Sequence, residues 1–541
     1  MLKIRYQLFA LGAIVLAVYS PSIFAEFCNI DDAGMVASVL GRDNWTLEGI
    51  FTPRRSGALY FRPLVILSYF LDREIWGMHP VAMHLENILL HLGNALLVFF
   101  LTRQLLPENL RKRSFVPIFA ALLFALHPVN SESVVWVSGR TDLLAGFFVL
   151  LGVISLVRFK TEKGWAFLLL GFISLFGGVI TKETAFALVP GALLILLARR
   201  FPKDQGEEKG FRKIVPIIKW TIIVALGFAG AVVVFRLLRG LAITSDSLRI
   251  GRTLQYMFSD LYYTTFVFLR AFGFYIKKLL WPFPLSFAII EVDPLYELFA
   301  IPVVLICIFV AMRRTLLSGI FIAGIFMITP ALPIAFGQIA WTPYSERYVY
   351  ITSSLILPVL TLFLATRLEK VVHRRTLYVL FCFLLVMMGA ATFQRSLVWQ
   401  SNVTLLADTV RKSPNFAPAW SEYGVALYRN GDPQTALLQF EKARNVYSFA
   451  YNQKYDLNLA AVLIELGREG EAFEVYQGVI SKTQGETPKG YDGAIELLEK
   501  QLSEAQDLGE IDQINSLLLQ YTNSREELKV NPPKRNRLWR F

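Results

Sequence analysis

Apolar runs close to the length that crosses a roughly 30 Å hydrocarbon core recur from residue 8 to residue 394, near 8–25, 83–106, 115–127, 134–157, 164–181, 184–198, 214–236, 297–312, 316–336, 347–366 and 376–394. In lipid, backbone polar groups have no water to bond, so such runs must close their hydrogen bonds internally as helices. The predicted fold is therefore all-α, a polytopic membrane protein with about eleven transmembrane helices. Composition agrees: 55% of the 541 residues are hydrophobic and the mean hydropathy is +0.48. The net charge of +12 falls mostly in short loops between the runs, where it acts as a topology signal and not as a nucleic-acid footprint. Cys28, Cys307 and Cys382 are far apart and lack CxxC spacing, which points to packing residues.

Basic loops set the orientation. "RKR" at 111–113, "RFKTEK" at 158–163, the loop 199–213, Arg313 with Arg314, and "RLEKVVHRR" at 367–375 all fall on the cytoplasmic side if the N-terminus is cytoplasmic. The C-terminus then lies outside. Lys3 and Arg5 precede the first run, which has the outline of a signal peptide ending at Ala25, but Ile23 stands where a small residue is needed for cleavage. The aromatic segment 261–287 carries Arg270, Lys277 and Lys278, and counting it as a span would invert the later loops. It fits an interfacial helix on the outer side, as does part of the first outer loop, 27–82.

Beyond about residue 399 the composition becomes that of a soluble helical domain. Aligning 420–443 with 457–479 pairs Gly424 with Ala460, Gly431 with Gly467, Ala436 with Ala472 and Phe440 with Tyr476, a period of about 36 that matches the tetratricopeptide pattern. Residues 402–413 fit a preceding half-repeat and 491–528 a closing pair, so 399–530 is predicted to be an α-solenoid. The basic tail 531–541 has no assigned role.

Ionisable groups inside or beside spans are costly unless paired or wet, and so mark function. Here they are grouped. Asp31, Asp32, His127, Glu132, Lys182, Glu183, Glu346 and Arg347 fall at the outer ends of spans on this topology, and Arg140 and Asp142 about two turns inside one. The adjacent carboxylates Asp31 and Asp32 provide a candidate general base, against the alternative of a helix N-cap. Arg140 and Asp142, two apart, face different sides of a helix and need separate partners; a structural ion pair is the alternative, as for Lys182 and Glu183 in "TKET". The guanidinium of Arg347 suits a lipid phosphate, since its planar fork holds two oxygens. His84, Asn87, His91 and Asn94 form one polar stripe, which fits interhelical hydrogen bonding better than a metal site.

The segments "NIDDAGMV", "RPLVILSYFLDREIWGMHPVAMHLENILLH", "ALHPVNSESVVWVSGRTDLLAG", "TKETAFALVP", "LLWPFPLSF" and "SERYVYI", followed by the repeats, resemble the TMTC family. These are transmembrane, repeat-bearing O-mannosyltransferases of the GT-C superfamily, with bacterial relatives. The resemblance runs from about residue 28 to about 480 in the same order. It implies a GT-C domain over 1–398 that uses a polyprenyl-phosphate sugar as donor, with an acidic residue of the first outer loop, Asp31 or Asp32, at the catalytic centre. Arg347, Lys182 and Arg140 would serve the donor phosphate, supported by Glu132, Asp142, Glu346, His127, His84 and Glu183. Such enzymes invert configuration and use no metal when the donor is a lipid monophosphate; no divalent cofactor is expected. The expected partners are the lipid-linked donor, the membrane, and a protein acceptor or complex partner at the repeats, with no nucleic acid.

Other function classes make different demands. A glycan- or lipid-modifying transferase would share the donor site, a transporter would place ionisable groups near the midplane of two related halves, and a scaffold would need only the repeats. Short connections favour a bacterial inner membrane with a periplasmic repeat domain, or a lumenal one if the chain is eukaryotic.

Overall fold

The computed structural model describes residues 4–41, 46–52, 61–111, 115–159, 164–200, 247–337, 339–368, 372–446 and 452–530. The run 214–236 and the tail 531–541 lie outside them. The chain divides into two compact units, Met1–Ser401 and Asn402–Phe541. Both are helical: among the described residues the only β pairing is one isolated bridge, Ile289 to Tyr344.

In the first unit seven described helices are long and apolar enough to cross a membrane: Ile4–Phe24, Pro80–Leu105, Val137–Arg158, Leu295–Met312, Leu316–Phe336, Glu346–Leu368 and Arg375–Val398. A bent pair, Val116–Ala125 with Pro128–Val135, makes an eighth, and Trp165–Thr181 is a shorter apolar helix. The central bundle consists of Pro80–Leu105, Val116–Ala125, Arg140–Arg158 and Tyr350–Leu368; the first and last of these each pack against the other three. Leu295–Met312 and Arg375–Val398 lie at the periphery and expose Leu305, Phe309, Phe383 and Val386 to lipid. Membrane helices approach closely where side chains are small. Accordingly a Cβ on Gly191 would stand 2.3 Å from the Ala323 backbone, and one on Gly319 would stand 2.7 Å from Ile195. These two glycines let Val189–Arg200 and Leu316–Phe326 meet backbone to backbone.

The segment expected to be interfacial forms one helix, Leu261–Leu280, which exposes Tyr262 and Tyr263 at its start and buries Ala271–Ile276 and Leu279. Its second half is thus packed inside the protein. The described residues of the first loop form three helices, Asp32–Leu40, Leu47–Phe51 and Pro63–Trp76.

The second unit is a succession of helices, each packed on the next: Asn402–Lys412, Ala417–Arg429, Pro433–Asn445, Gln453–Glu465, Glu469–Lys482, Pro488–Glu504 and Leu508–Val530. The residues paired by the period occupy equivalent places. Gly431 and Gly467 both turn the chain between helices at φ +82° and +72°, a conformation that favours glycine. Ala436 and Ala472 are fully buried, and the Phe440 ring covers Gly424 so closely that a Cβ there would come within 2.7 Å of it. The last helix buries only Ile514, as a closing element with one face to solvent does.

Candidate active site

Residues 127–139 form a break between helices. Pro128 cannot continue the helix Val116–Ala125, and the chain passes through Pro128–Asn130, the single turn Ser131–Val135 and Val137–Gly139 before Arg140–Arg158 begins. Only glycine fits at 139, where a Cβ would meet the Ser133 carbonyl oxygen at 2.4 Å. Arg140 is therefore the first residue of its helix, not two turns inside one; the apolar Val134, Val135 and Val137 hide the end of the break from a hydropathy reading. Non-helical backbone at this depth must be satisfied by protein, and it is. Asn130 Nδ2 donates to Phe124 O (2.8 Å), Tyr19 and His91 serve Ala125 O, and Thr392 Oγ1 donates to Leu126 O (2.8 Å). His127 Nδ1 accepts from Val129 N (3.3 Å), so its Nε2 carries the proton and donates to Leu279 O at 3.1 Å. His127 is committed to the turn.

The polar stripe does the same work. Asn87 Nδ2 donates to Trp136 O (3.0 Å), Asn94 Nδ2 to Leu143 O (2.9 Å), and His91 Nδ1 meets Tyr350 Oη at 2.8 Å. His84 is buried beside the backbone of Ala25, Glu26 and Val135.

The two adjacent carboxylates are held very differently. Asp32 is fully buried: Oδ2 accepts from Cys28 N (3.0 Å), and Oδ1 accepts from Ser138 N (2.9 Å) and from Ser138 Oγ. It pins the loop after the first span onto the break before Arg140. Asp31 is exposed and has φ +70°, ψ −45°, with Asp32 N donating to Ile30 O at 3.0 Å across it. That is a γ-turn of the strained, positive-φ kind. Strain of this sort is held in place by its surroundings and clusters at functional sites; here the Asp32 bonds enforce it.

Burial pushes the Asp32 carboxyl up to about 7, against the pull of its Ser138 and Cys28 donors. A folded-state value above the unfolded one means that Asp32 favours the fold at low pH and that this contribution disappears as pH rises through about 7. Melting temperatures from about pH 5 to 8 should therefore fall more steeply for the wild type than for Asp32→Asn. Parallel slopes would contradict this assignment.

Arg140 is enclosed, with its side chain 1% exposed. Its guanidinium bonds Asp72, donates to Asn87 Oδ1 (3.0 Å), to Glu86 Oε2 (2.9 Å) and to Met83 O (3.3 Å), and lies over the Tyr69 ring. Asp142, on the other side of the helix, pairs with Lys182 Nζ at 2.5 Å. Lys278 is likewise buried, against Glu346 at 2.6 Å. These exposures decide which cations can reach a ligand. Where Arg140 and Lys278 are enclosed, Arg347 (19%), Arg62 (19%) and Lys182 (10%) retain surface.

Those three come together. Lys182 Nζ and Arg347 Cζ both lie against the Tyr348 ring, at 5.8 and 5.1 Å, and the charges of Arg62 and Arg347 both bear on Lys182. Each is balanced: Arg347 by Glu132 (2.8 Å), Arg62 by Glu183 in a two-point bond (2.9 and 3.1 Å), Lys182 by Asp142. Glu132 also accepts from Ser345 Oγ and from the backbone N–H of Glu346 and Arg347, which fixes the start of that helix. Arg347 Cζ stands 4.7 Å above the Trp136 ring. Ser138, which holds Asp32, is only two residues further, so the two Cα atoms are at most about 7 Å apart. The carboxylate turn and the cation group thus share one short segment.

Sequence reasoning named Asp31, Asp32, Lys182, Glu183, Asp142, Glu132, Glu346 and Arg347 but missed Arg62, Asp72, Glu86, Tyr348 and Lys278. Arg62 directly precedes Pro63 at a helix start, and Asp72 interrupts an apolar helix face; only the partners, remote in sequence, reveal their places. Among the described residues, no three His, Cys, Asp or Glu side chains form a group that could hold a metal.

No family model matches the chain. It is similar to a protein O-mannosyl-transferase, Tmtc1, of Drosophila melanogaster, at 31% identity over 157 residues, 29% of this chain and 17% of the fly protein. It is also similar to protein O-mannosyl-transferase TMTC4 of Homo sapiens, at 37% over 113 residues, 19% of this chain and 15% of the relative, and to TMTC2 of Mus musculus, at 28% over 163 residues, 29% of this chain and 19% of the relative. The matches therefore span less than a fifth of each of these relatives.

Proposed function

We propose that this TMTC-like chain is an integral membrane glycosyltransferase that moves a sugar from a polyprenyl phosphate to a protein hydroxyl on the periplasmic or lumenal face. The observation that carries the reading is the juxtaposition of an exposed, strained Asp31 with a group of three partly exposed cations through the segment Trp136–Ser138. The relatives' description as protein O-mannosyl-transferases supports the acceptor class.

A hydroxyl is a poor nucleophile at neutral pH, and a positioned carboxylate remedies that. Asp31 takes the acceptor proton as the hydroxyl oxygen attacks the anomeric carbon. The bond from that carbon to the phosphate oxygen breaks, and polyprenyl phosphate leaves with the electron pair. One displacement inverts the configuration. Arg347, Lys182 and Arg62 stabilise the charge that grows on the leaving phosphate, an effect worth a few kcal/mol in a dry site. Asp32 positions Asp31, and Arg140, Lys278 and His127 hold the frame. The helical repeats of the second unit present the protein acceptor.

Mass spectrometry of surface proteins from cells with the whole chain, with residues 1–401 alone, and without the chain tests this reading. Sugar should appear on protein only with the whole chain, while purified 1–401 still binds polyprenyl phosphate. Unchanged modification by 1–401 rules out the presenting role of the repeats, and unchanged modification without the chain rules out the transferase.

A further inference from the structure

Phe287, 2% exposed, is surrounded by three tryptophans, with ring centroids 5.8 Å from Trp136, 4.9 Å from Trp399 and 5.3 Å from Trp341. Trp136 and Trp399 are each 4% exposed, and neither Nε1–H has an acceptor among the described residues. Elsewhere in the chain Trp76 donates to Glu86 (2.8 Å) and Trp420 to Pro414 O (2.7 Å). Tryptophans that anchor a protein in a membrane keep their N–H at the wet headgroup level; these two are inside the protein. Buried donors without acceptors are costly, and two in one cluster require a cause.

Their position supplies one. The Trp136 ring carries Arg347 at 4.7 Å. Next to Trp399, Gln400 O accepts from Glu26 N (3.0 Å) and Gln400 Nε2 donates to Pro21 O (3.1 Å), fixing the start of the loop that leads to Asp31. The cluster thus adjoins Arg347, proposed to hold the phosphate, on one side and the start of the loop that carries the proposed base on the other, and on the transferase reading the sugar lies between phosphate and base. Trp341 is half-buried, on a stretch without regular helix or strand, and is the most accessible tryptophan of the cluster.

The geometry points to a sugar-ring subsite built from Trp136, Phe287, Trp341 and Trp399, an inference that rests on the transferase reading. The apolar face of a pyranose stacks on Trp341, as aromatic faces accept flat apolar surfaces, and the indole N–H groups of Trp136 and Trp399 donate to sugar hydroxyls. A site that hydrogen-bonds hydroxyls discriminates strongly against ligands lacking them, because its donors are then left unpaired. The subsite therefore selects the sugar, whereas the cations bind any polyprenyl phosphate.

Calorimetric titration of the full chain in lipid nanodiscs with a short polyprenyl phosphate bearing mannose, glucose or no sugar tests this. One of the sugar-bearing lipids should bind at least about tenfold tighter than the bare phosphate, and Trp399→Phe, which keeps the ring and removes the N–H, should reduce that margin about tenfold while leaving the bare lipid's affinity unchanged. Trp136→Phe provides a second variant should Trp399→Phe fold poorly. Equal binding of bare and sugar-bearing lipids by the wild type, or an unaltered margin in the variants, overturns the subsite and leaves the transferase reading standing. If no polyprenyl phosphate binds, both fall.

Discussion

Asparagine at Asp31 is expected to cut sugar transfer by about 100-fold or more, with polyprenyl phosphate still bound and the melting temperature unchanged. The side chain is exposed and its neighbour performs the structural task, so the loss falls on turnover alone. Asp31→Gly sharpens the contrast: glycine adopts φ +70° freely, so this variant should be at least as stable as the wild type and equally inactive. Asp32→Asn should do the reverse. An amide cannot accept from Cys28 N and from Ser138 at once, and a mispaired buried donor costs about 1–3 kcal/mol. The variant should melt lower, and it should lose activity only as far as the Asp31 turn relaxes. Wild-type transfer by folded Asp31→Asn would move the base elsewhere.

Arg140→Ala is expected to be the most destabilising single change, by about 3–5 kcal/mol, because it leaves Asp72 buried and unpaired. Glu86 and Asn87 lose a partner too. Burial and the neighbouring Glu86 already raise the Asp72 pKa, and Arg140 opposes them. Lysine should not rescue the site, since one ammonium cannot reproduce a planar fork shared by three side chains and a carbonyl. Arg347→Ala should separate from it: that side chain is partly exposed, and its removal should chiefly weaken donor binding. Thermal melting in detergent beside lipid-phosphate binding distinguishes the two. A stable Arg140→Ala protein that fails to bind donor would return Arg140 to the phosphate.

Much of this arrangement was legible in the chain. The apolar runs foretold the helices because lipid leaves the backbone no other solution. In the stripe His84, Asn87, His91, Asn94, the expected hydrogen bonding is found at Asn87, His91 and Asn94, because polar groups one or two turns apart share a helix face. The two-residue spacing of Arg140 and Asp142 foretold separate partners, found as Asp72 with Glu86 and as Lys182. What stayed hidden depends on contacts between remote segments. Nothing in the sequence around them distinguishes the buried Asp32 from the exposed Asp31; besides Cys28 N, Asp32 is held by Ser138, more than a hundred positions away. The same holds for the exposure of Arg62 and Arg347 against the enclosure of Arg140 and Lys278. A hydropathy profile finds the start of the break after 127 but ends it too early, at 134, since Val134, Val135 and Val137 are apolar and the non-helical path up to Gly139 is a matter of geometry.

The purified full-length chain, reconstituted in liposomes with polyprenyl phosphate carrying labelled mannose and with surface protein from cells lacking the chain, gives the most direct test of the central claim. Labelled sugar should appear on protein in step with release of polyprenyl phosphate, and both should vanish with Asp31→Asn. Release without transfer to protein, or label on protein at an equal rate with Asp31→Asn, would contradict the account.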